Sequence, residues 1–316
     1  MSPAATPPAA TPPAAKPPAA GARTAGARSP GAQAPRKIRP PDPAAVARVV
    51  AAALAEDLDG GDPTSDGLFG VDATCEMTLL QKEPGVVCGL GVVAEVFAAL
   101  DQRVVVTAAH ADGDHVAEVP VELARISGPT RAVMAGERTA LNLLGRLSGI
   151  ATMAAACVAE LEGTGAVLLD TRKTTAGLRE LEKYAVRTGG ACNHRLNLGE
   201  ALLVKDNHLR LAGGISAAVA RLHEAHSRLR LEVEAETLDD VRVALAAGVN
   251  RILLDNMTTA QMRDAVALCH GAVETEASGG ITLSNLREVG ETGVDYVSIG
   301  ALTHSPKALD VSLEVA

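Results

Sequence analysis

Aromatic residues are almost missing: the 316-residue chain has no Trp, two Tyr and two Phe. Proteins that hold single-stranded nucleic acid by base stacking depend on such rings, so that class is disfavoured. There is no C-x-x-C pair either; Cys75, Cys88, Cys157, Cys192 and Cys269 form an odd, scattered set. That spacing argues against a disulfide framework or a thiolate zinc site, and for a reducing, cytoplasmic setting. No uninterrupted apolar run approaches the roughly 20 residues that span a bilayer, which argues against a membrane protein. Acidic residues are absent from positions 1–41, where six Lys and Arg lie; the remainder holds 23 basic and 38 acidic residues, a charge of about −15. A body this acidic repels a nucleic-acid backbone, and an anionic ligand bound to it must meet a local concentration of cations.

What is present divides the chain into three parts. Residues 1–40 are rich in Pro and Ala, with twelve of the 17 prolines in the first 43 positions, and read as a disordered tail. Residues 41–150 mix helices and strands without strict order, an α+β pattern. Helical periodicity covers Pro43–Asp57 and Gly91–Leu100, strands are expected at Ala73–Gln81, Val86–Cys88, Gln102–Thr107 and Val116–Ile126, and a long helical stretch at Thr130–Leu161 is expected to break near Ser148-Gly149. Across residues 151–302, apolar runs alternate with amphipathic helices: Ala166–Leu169, Ala201–Val204, Leu231–Val233, Arg251–Leu254, Val273–Thr275 and Val294–Ile299. From Leu231 the strands recur about every 20 residues, the period of βα units, which predicts a parallel α/β sheet, open or closed into a barrel.

The strand ends carry the chemistry. The runs are followed by Asp170-Thr171-Arg172-Lys173, Lys205-Asp206, Glu234, Asp255-Asn256, Ser278-Gly279-Gly280 and Gly300-Ala301, and barrel strands converge at one mouth. Arg172, Lys173, His194, Arg195 and Lys205 crowd cations onto this rim, with Arg138 in the long helical stretch; guanidinium groups match carboxylates and phosphates bidentately. Glu234 and Asp255 end successive strands and suit a shared Mg2+ or ribose hydroxyls. Glu232 shares a face with Glu234, so either the barrel interior is polar or the strand is shifted. The glycines of Ser278–Thr282, expected to lead directly into a helix at Leu283–Val289, offer backbone N–H groups to a phosphate.

The segment DTRKTTAGLRELEKYAVRTGGACNHRLNLGEALLVKDNH, Asp170–His208, closely resembles quinolinate phosphoribosyltransferases. Segments around Glu56-Asp57-Leu58, Gly61–Ser65, Gly136–Asn142, Glu234, Leu254-Asp255-Asn256, Glu276–Thr282 and Ser298–Ser305 are similar to that family in the same order, so the resemblance covers roughly residues 40–316. It implies an N-terminal α/β sandwich domain at 41–150, a C-terminal open α/β barrel of type II phosphoribosyltransferase kind at 151–302, and a final segment, 303–316, returning to the first domain. It also implies a homodimer or assembly of dimers with shared active sites. In that scheme Arg138 reaches into the partner's site and grips quinolinate, while Arg172, His194, Arg195 and Lys205 surround its carboxylates. Thr171 belongs to the same substrate site, and Lys173 lies between quinolinate and phosphoribosyl pyrophosphate. Glu234 and Asp255 serve Mg2+ and the ribose, and Ser278-Gly279-Gly280 with Gly300-Ala301 hold the 5′-phosphate.

The implied reaction is decarboxylating transfer of phosphoribose to quinolinate, in NAD biosynthesis. Two alternatives are a transferase acting on nicotinate or another pyridine acid and a non-catalytic phosphosugar-binding regulator. Ala176 stands where the family often has Pro, and Ala191-Cys192 replace part of a glycine-rich turn, where added Cβ atoms narrow the backbone's choices.

Overall fold

A computed structural model describes residues 38–316, so the tail expected to be disordered lies almost wholly outside the described residues. Asp42 starts the first helix, its Oδ1 accepting the Ala44 N–H at 3.2 Å with Pro43 at the first helical position. Helix α1 (Pro43–Asp57) and short α2 (Pro63–Leu68) lead to β1 (Thr74–Gln81), β2 (Gly85–Val86), α3 (Leu90–Leu100), β3 (Val105–Ala108), β4 (His115–Val116), β5 (Val121–Pro129) and α4 (Thr130–Glu160). The strand region expected over Val116–Ile126 is split in two, with Pro120, which has no N–H to donate, between the halves.

Helix α4 runs 31 residues without the break expected at Ser148-Gly149. Both residues serve close packing instead. The Ser148 hydroxyl accepts the Cys88 N–H at 3.0 Å and donates to the Cys88 carbonyl at 3.1 Å. A Cβ on Gly149 would sit 2.1 Å from the Lys307 carbonyl oxygen, so the glycine admits a neighbouring chain rather than ending a helix. By length and composition α4 is apolar enough to cross a membrane, yet 61% of its most apolar window is buried inside the protein, the position of a core helix.

The second half comprises β6 (Val167–Leu169), α5 (Arg179–Thr188), β7 (Leu202–Val204), α6 (Asp206–Ala212), α7 (Ile215–Ala225), β8 (Leu231–Ala235), α8 (Leu238–Ala247), β9 (Arg251–Asp255), α9 (Thr259–Cys269), β10 (Glu274–Ser278), α10 (Leu286–Gly290), β11 (Tyr296–Ser298) and α11 (Ala301–His304). Its six strands pair in the order β6-β11-β10-β9-β8-β7, all parallel. β6 and β7 do not pair with each other, so the barrel is open at that seam. Cys192 covers part of the edge: it bridges Leu169 in parallel, with its N–H on the Leu168 carbonyl at 2.9 Å. That extended pairing tolerates a side chain, which explains how a cysteine replaces a turn glycine here.

β10 begins and ends later than the expected Val273–Thr275, because pairing with β9 carries it from Glu274↔Arg251 to Ser278↔Asp255. The polar residues inside that run hid the strand from an apolar pattern. The last strand, β12 (Val311–Val315), returns to pair antiparallel with β1, giving a four-stranded sheet β12-β1-β5-β3. Helices α3 and α4 cover this sheet through Phe97, Val133, Leu144 and Leu147, all buried.

Candidate active site

The six barrel strands end around one cavity of about 740 Å³. Thr171, Arg172 and Lys173 follow β6, and His194 and Arg195 come from the loop between α5 and β7. Lys205 follows β7, Glu234 lies on β8, Asp255 ends β9, Ser278-Gly279-Gly280 closes β10, and Gly300-Ala301 follows β11; all of them line the cavity. Arg138 does not. It is exposed on α4, outside the lining of the mouth.

One half of the mouth is cationic and under-paired. Arg195 is held by one bond, NH1 to the Ala201 carbonyl at 2.8 Å, and its buried Nε has no partner. The buried Nε of Arg172 is also unpartnered. Burial, and then the charge of Arg172 beside it, lower the pKa of Arg195, with Glu232 opposing. Two guanidiniums that repel each other while keeping buried donors unused form a receptor for an anion, since buried N–H groups without acceptors are costly.

The other half is acidic and glycine-lined. Glu234 is buried, and its Oε2 accepts from Lys205 Nζ at 3.1 Å. Burial raises its pKa, Lys205 opposes, and the nearby carboxylates of Asp255 and Asp206 raise it further. Asp255 accepts from Asn256 Nδ2 at 2.6 Å. Gly279, at φ +88°, is required: a Cβ there would stand 2.2 Å from Asn256 Oδ1. At Gly300 a Cβ would meet Lys173 Cδ at 2.9 Å, so the Lys173 side chain lies across that glycine. The glycines do not run directly into a helix as expected; α10 starts only at Leu286. A turn intervenes, in which Asn285 Oδ1 accepts the Thr282 N–H at 2.8 Å and its Nδ2 donates to the Gly280 carbonyl at 3.1 Å.

Beneath the rim, α5 presents two consecutive buried charges. Glu182 accepts from Arg146 at 2.8 Å and from the Thr175 N–H at 3.0 Å, and the same Arg146 guanidinium reaches the Thr303 carbonyl. Lys183 Nζ meets Asp170 Oδ1 at 2.6 Å, with both side chains fully enclosed. Burial pushes the Asp170 carboxyl up and the Lys183 ammonium down, and each is partly restored by the other.

The barrel axis is polar, which settles the question left by Glu232. Glu232 on β8 and Glu276 on β10 flank β9 and bring their buried carboxylates together, with His194 Nε2 3.2 Å from the first and 3.6 Å from the second. The 3.2 Å contact has ion-pair distance without good hydrogen-bond alignment. Arg251 binds Glu276 at 2.8 Å and lies 3.8 Å from the Tyr296 ring centroid. Burial and the charge of Glu232 push the Glu276 carboxyl up to about 7, against His194 and Arg251. Burial opposes the charged form of His194, but the two glutamates outweigh it and raise the ring's pKa. His194 Nδ1 accepts the Arg195 N–H at 2.8 Å, so both ring nitrogens are turned toward protein while the ring lines the mouth. His194, Glu232 and Glu276 group as a metal set would, with ligand atoms within 4.8 Å. Arg251 already supplies a cation there. Sequence reasoning does not reach the roles of Arg251, Glu276, Asp170 and Lys183; for Arg251 and Glu276 the available signal is charge at alternating positions of β9 and β10, and for Asp170 and Lys183 there is none in the local pattern.

An open parallel barrel whose mouth sets a guanidinium-rich half against a carboxylate-and-glycine half belongs to the class of α/β-barrel enzymes that bind an anionic substrate beside a phosphorylated one. Within that class the chain belongs to the quinolinate phosphoribosyl transferase family. It matches that family's N-terminal domain over residues 62–148 and its C-terminal domain over residues 150–314. It is 43% identical to a probable nicotinate-nucleotide pyrophosphorylase [carboxylating] of Bacillus subtilis (strain 168), across 82% of this chain and 90% of that one. Its fold is similar to the crystal structure of NadC from Streptococcus pyogenes (TM-score 0.84, 39% identity, 87% of this chain and 98% of that one). The nicotinate-nucleotide pyrophosphorylase from Francisella tularensis is similar as well (TM-score 0.84, 36% identity, 88% and 99%).

Proposed function

We propose that this protein transfers the phosphoribosyl group of phosphoribosyl pyrophosphate to quinolinate, releasing pyrophosphate and CO2 and yielding nicotinate mononucleotide in NAD biosynthesis. The observation that carries the reading is the pair Arg172 and Arg195, whose buried Nε donors lack partners beside a glycine-lined, carboxylate-bearing half of the same cavity. A diacid answers more of those donors than a single carboxylate does, which favours quinolinate over nicotinate.

The chemistry needs no nucleophilic side chain. The pyridine nitrogen attacks ribose C1 as the bond to pyrophosphate breaks, and the ring becomes quaternary. The adjacent carboxylate then leaves as CO2, its bonding electrons pass to the ring carbon, and that carbon takes a proton. Arg172, Arg195 and Lys205 orient the diacid, an entropic and electrostatic contribution. Thr171 belongs to the substrate site, Lys173 stands between the two ligands, and Ser278-Gly279-Gly280 with Gly300-Ala301 receive the 5′-phosphate.

Glu234 and Asp255 fit Mg2+: an all-oxygen donor pair on neighbouring strands, in an open mouth with room for the waters this ion retains. Bound there, the ion would offset charge developing on the departing pyrophosphate. Arg138, exposed on α4 and outside its own mouth, suits a homodimer in which it completes the partner's site. Five scattered cysteines without a C-x-x-C pair suit a reducing, cytoplasmic compartment.

Purified protein given quinolinate, phosphoribosyl pyrophosphate and Mg2+ is expected to release CO2, and Arg172→Ala to lower kcat/KM for quinolinate at least about a hundredfold. Turnover of nicotinate instead, or binding of the phosphosugar without turnover of either acid, overturns the proposal.

A further inference from the structure

His194 and Arg195 stand in the mouth on a loop without regular structure, yet the loop is anchored from below by a single ion pair. Asp170 closes β6 and Lys183 lies on α5; their side chains are 0% and 1% exposed and their charged atoms 2.6 Å apart. The rest of their bonding capacity goes to the same short stretch. Asp170 Oδ1 accepts the His194 N–H at 2.8 Å, and Lys183 Nζ donates to the His194 carbonyl at 2.9 Å, so both backbone polar groups of His194 end on this pair. Asn193 Nδ2 donates to Asp170 Oδ2 at 2.7 Å and to the Lys183 carbonyl at 2.9 Å. Arg187, one turn further along α5, holds the Asn193 Oδ1 from the other side. Asp170 is also the residue immediately before Thr171-Arg172-Lys173, so one buried pair joins the two loops that carry Arg172 and Arg195.

Neither Asp170 nor Lys183 lines the cavity. Stability alone gives little reason for them, because a buried ion pair is commonly no better than apolar residues of the same volume. Position gives a reason. Two guanidiniums with unused Nε donors recognise a diacid only if their separation is held, and misplacement of about 1 Å is enough to cost roughly a hundredfold in rate. Apart from Lys173, which stands between the two ligands, the groups assigned to the phosphosugar sit on the ends of β8 to β11, and none of them bonds to this pair.

We propose that the buried Asp170–Lys183 pair is a positioning device for the quinolinate half of the site: it sets Arg195 against Arg172 and leaves the phosphoribosyl pyrophosphate half unaffected. The proposal rests on the function argued above. Its test is a full steady-state analysis, varying each substrate in turn, of the wild type and of the double variant Asp170→Leu/Lys183→Met, which replaces the pair with apolar side chains of similar size. The expected result is a protein of near wild-type Tm whose kcat/KM for quinolinate falls about a hundredfold while KM for phosphoribosyl pyrophosphate stays within about twofold. Unchanged quinolinate kinetics, or equal losses for both substrates, overturns the proposal. Asn193→Ala, which cuts two bonds to the pair and leaves both charges in place, tests the same point should the double variant not fold. It is expected to show the same one-sided loss at about a tenfold level, and a folded Asn193→Ala protein with wild-type quinolinate kinetics overturns the proposal as well. Wild-type protein that does not turn over quinolinate sinks the functional reading itself and this proposal with it, an outcome distinct from an active wild type with indifferent variants.

Discussion

The antiparallel half and the barrel half bury different kinds of polar side chain. Around the β12-β1-β5-β3 sheet the core consists of Met77, Leu79, Phe97, Leu123, Ile126 and Leu144, and its buried polar residues Gln81, Thr130, Thr139 and Ser148 are all neutral. In the barrel half the buried side chains include the ionisable Asp170, Glu182, Lys183, Glu232, Glu234 and Glu276. Burying a charge is expensive unless it is paired, so the first half is built as a support and the second spends stability to hold charged groups in place. Helix α4 belongs to both: its Phe97-facing side packs the sheet, while Arg146 on its other side reaches Glu182 under the mouth.

The sharpest way to break this contrast is Phe97→Ala. Phe97 is fully enclosed against Gly136 of α4, and its loss is expected to lower unfolding free energy by about 4 kcal/mol in denaturant titration. The surviving folded fraction should keep the wild-type KM for both substrates; an altered KM would mean the support half shapes the site directly.

Next in size is the pH dependence of stability set by Glu276. Its carboxyl ionises near 4.5 when unfolded and at about 7 when folded, so between those values the folded state keeps a proton that the unfolded state has released. The stability from this group is therefore present below about pH 4.5 and lost as pH rises through 7. Measured from pH 5 to 8, Tm should fall more steeply in the wild type than in Glu276→Gln; equal slopes would mean the barrel axis does not strain this carboxyl.

The smallest effect expected belongs to Arg138, proposed to complete a partner's site. Arg138→Ala should lower kcat/KM for quinolinate about a hundredfold, near 2.7 kcal/mol, without shifting Tm. Mixed with Lys205→Ala subunits, it should recover part of the lost activity through one intact hybrid site; no recovery after proven subunit exchange would confine Arg138 to its own chain.

Much of the mouth was legible because barrel strands end in a repeating way. A charged or glycine residue after each apolar run identified Arg172, Lys205, Glu234, Asp255, Ser278 and Gly300 as neighbours, and all of them line the cavity. The misreadings have local causes. Gly149 reads as a breaker in sequence but makes room for the Lys307 carbonyl, and the apolar pattern puts β10 too early because Glu276 interrupts it. Glycine spacing reports how close another chain comes only when that chain is known.

Taken alone, the sequence determined the alternation of elements, the parallel α/β character, the cations and carboxylates at the strand ends and the family likeness, because these depend on residues close together in the chain. Tertiary structure decided that Arg172 and Arg195 line one cavity with unused Nε donors, that Glu232 and Glu276 share the barrel axis with Arg251 and His194, and that Asp170 and Lys183 hold the His194 backbone. Those contacts join strands and helices far apart in the chain. Whether a charge there meets a partner, a like charge or water depends on the register in which the strands close, and no local pattern encodes that register.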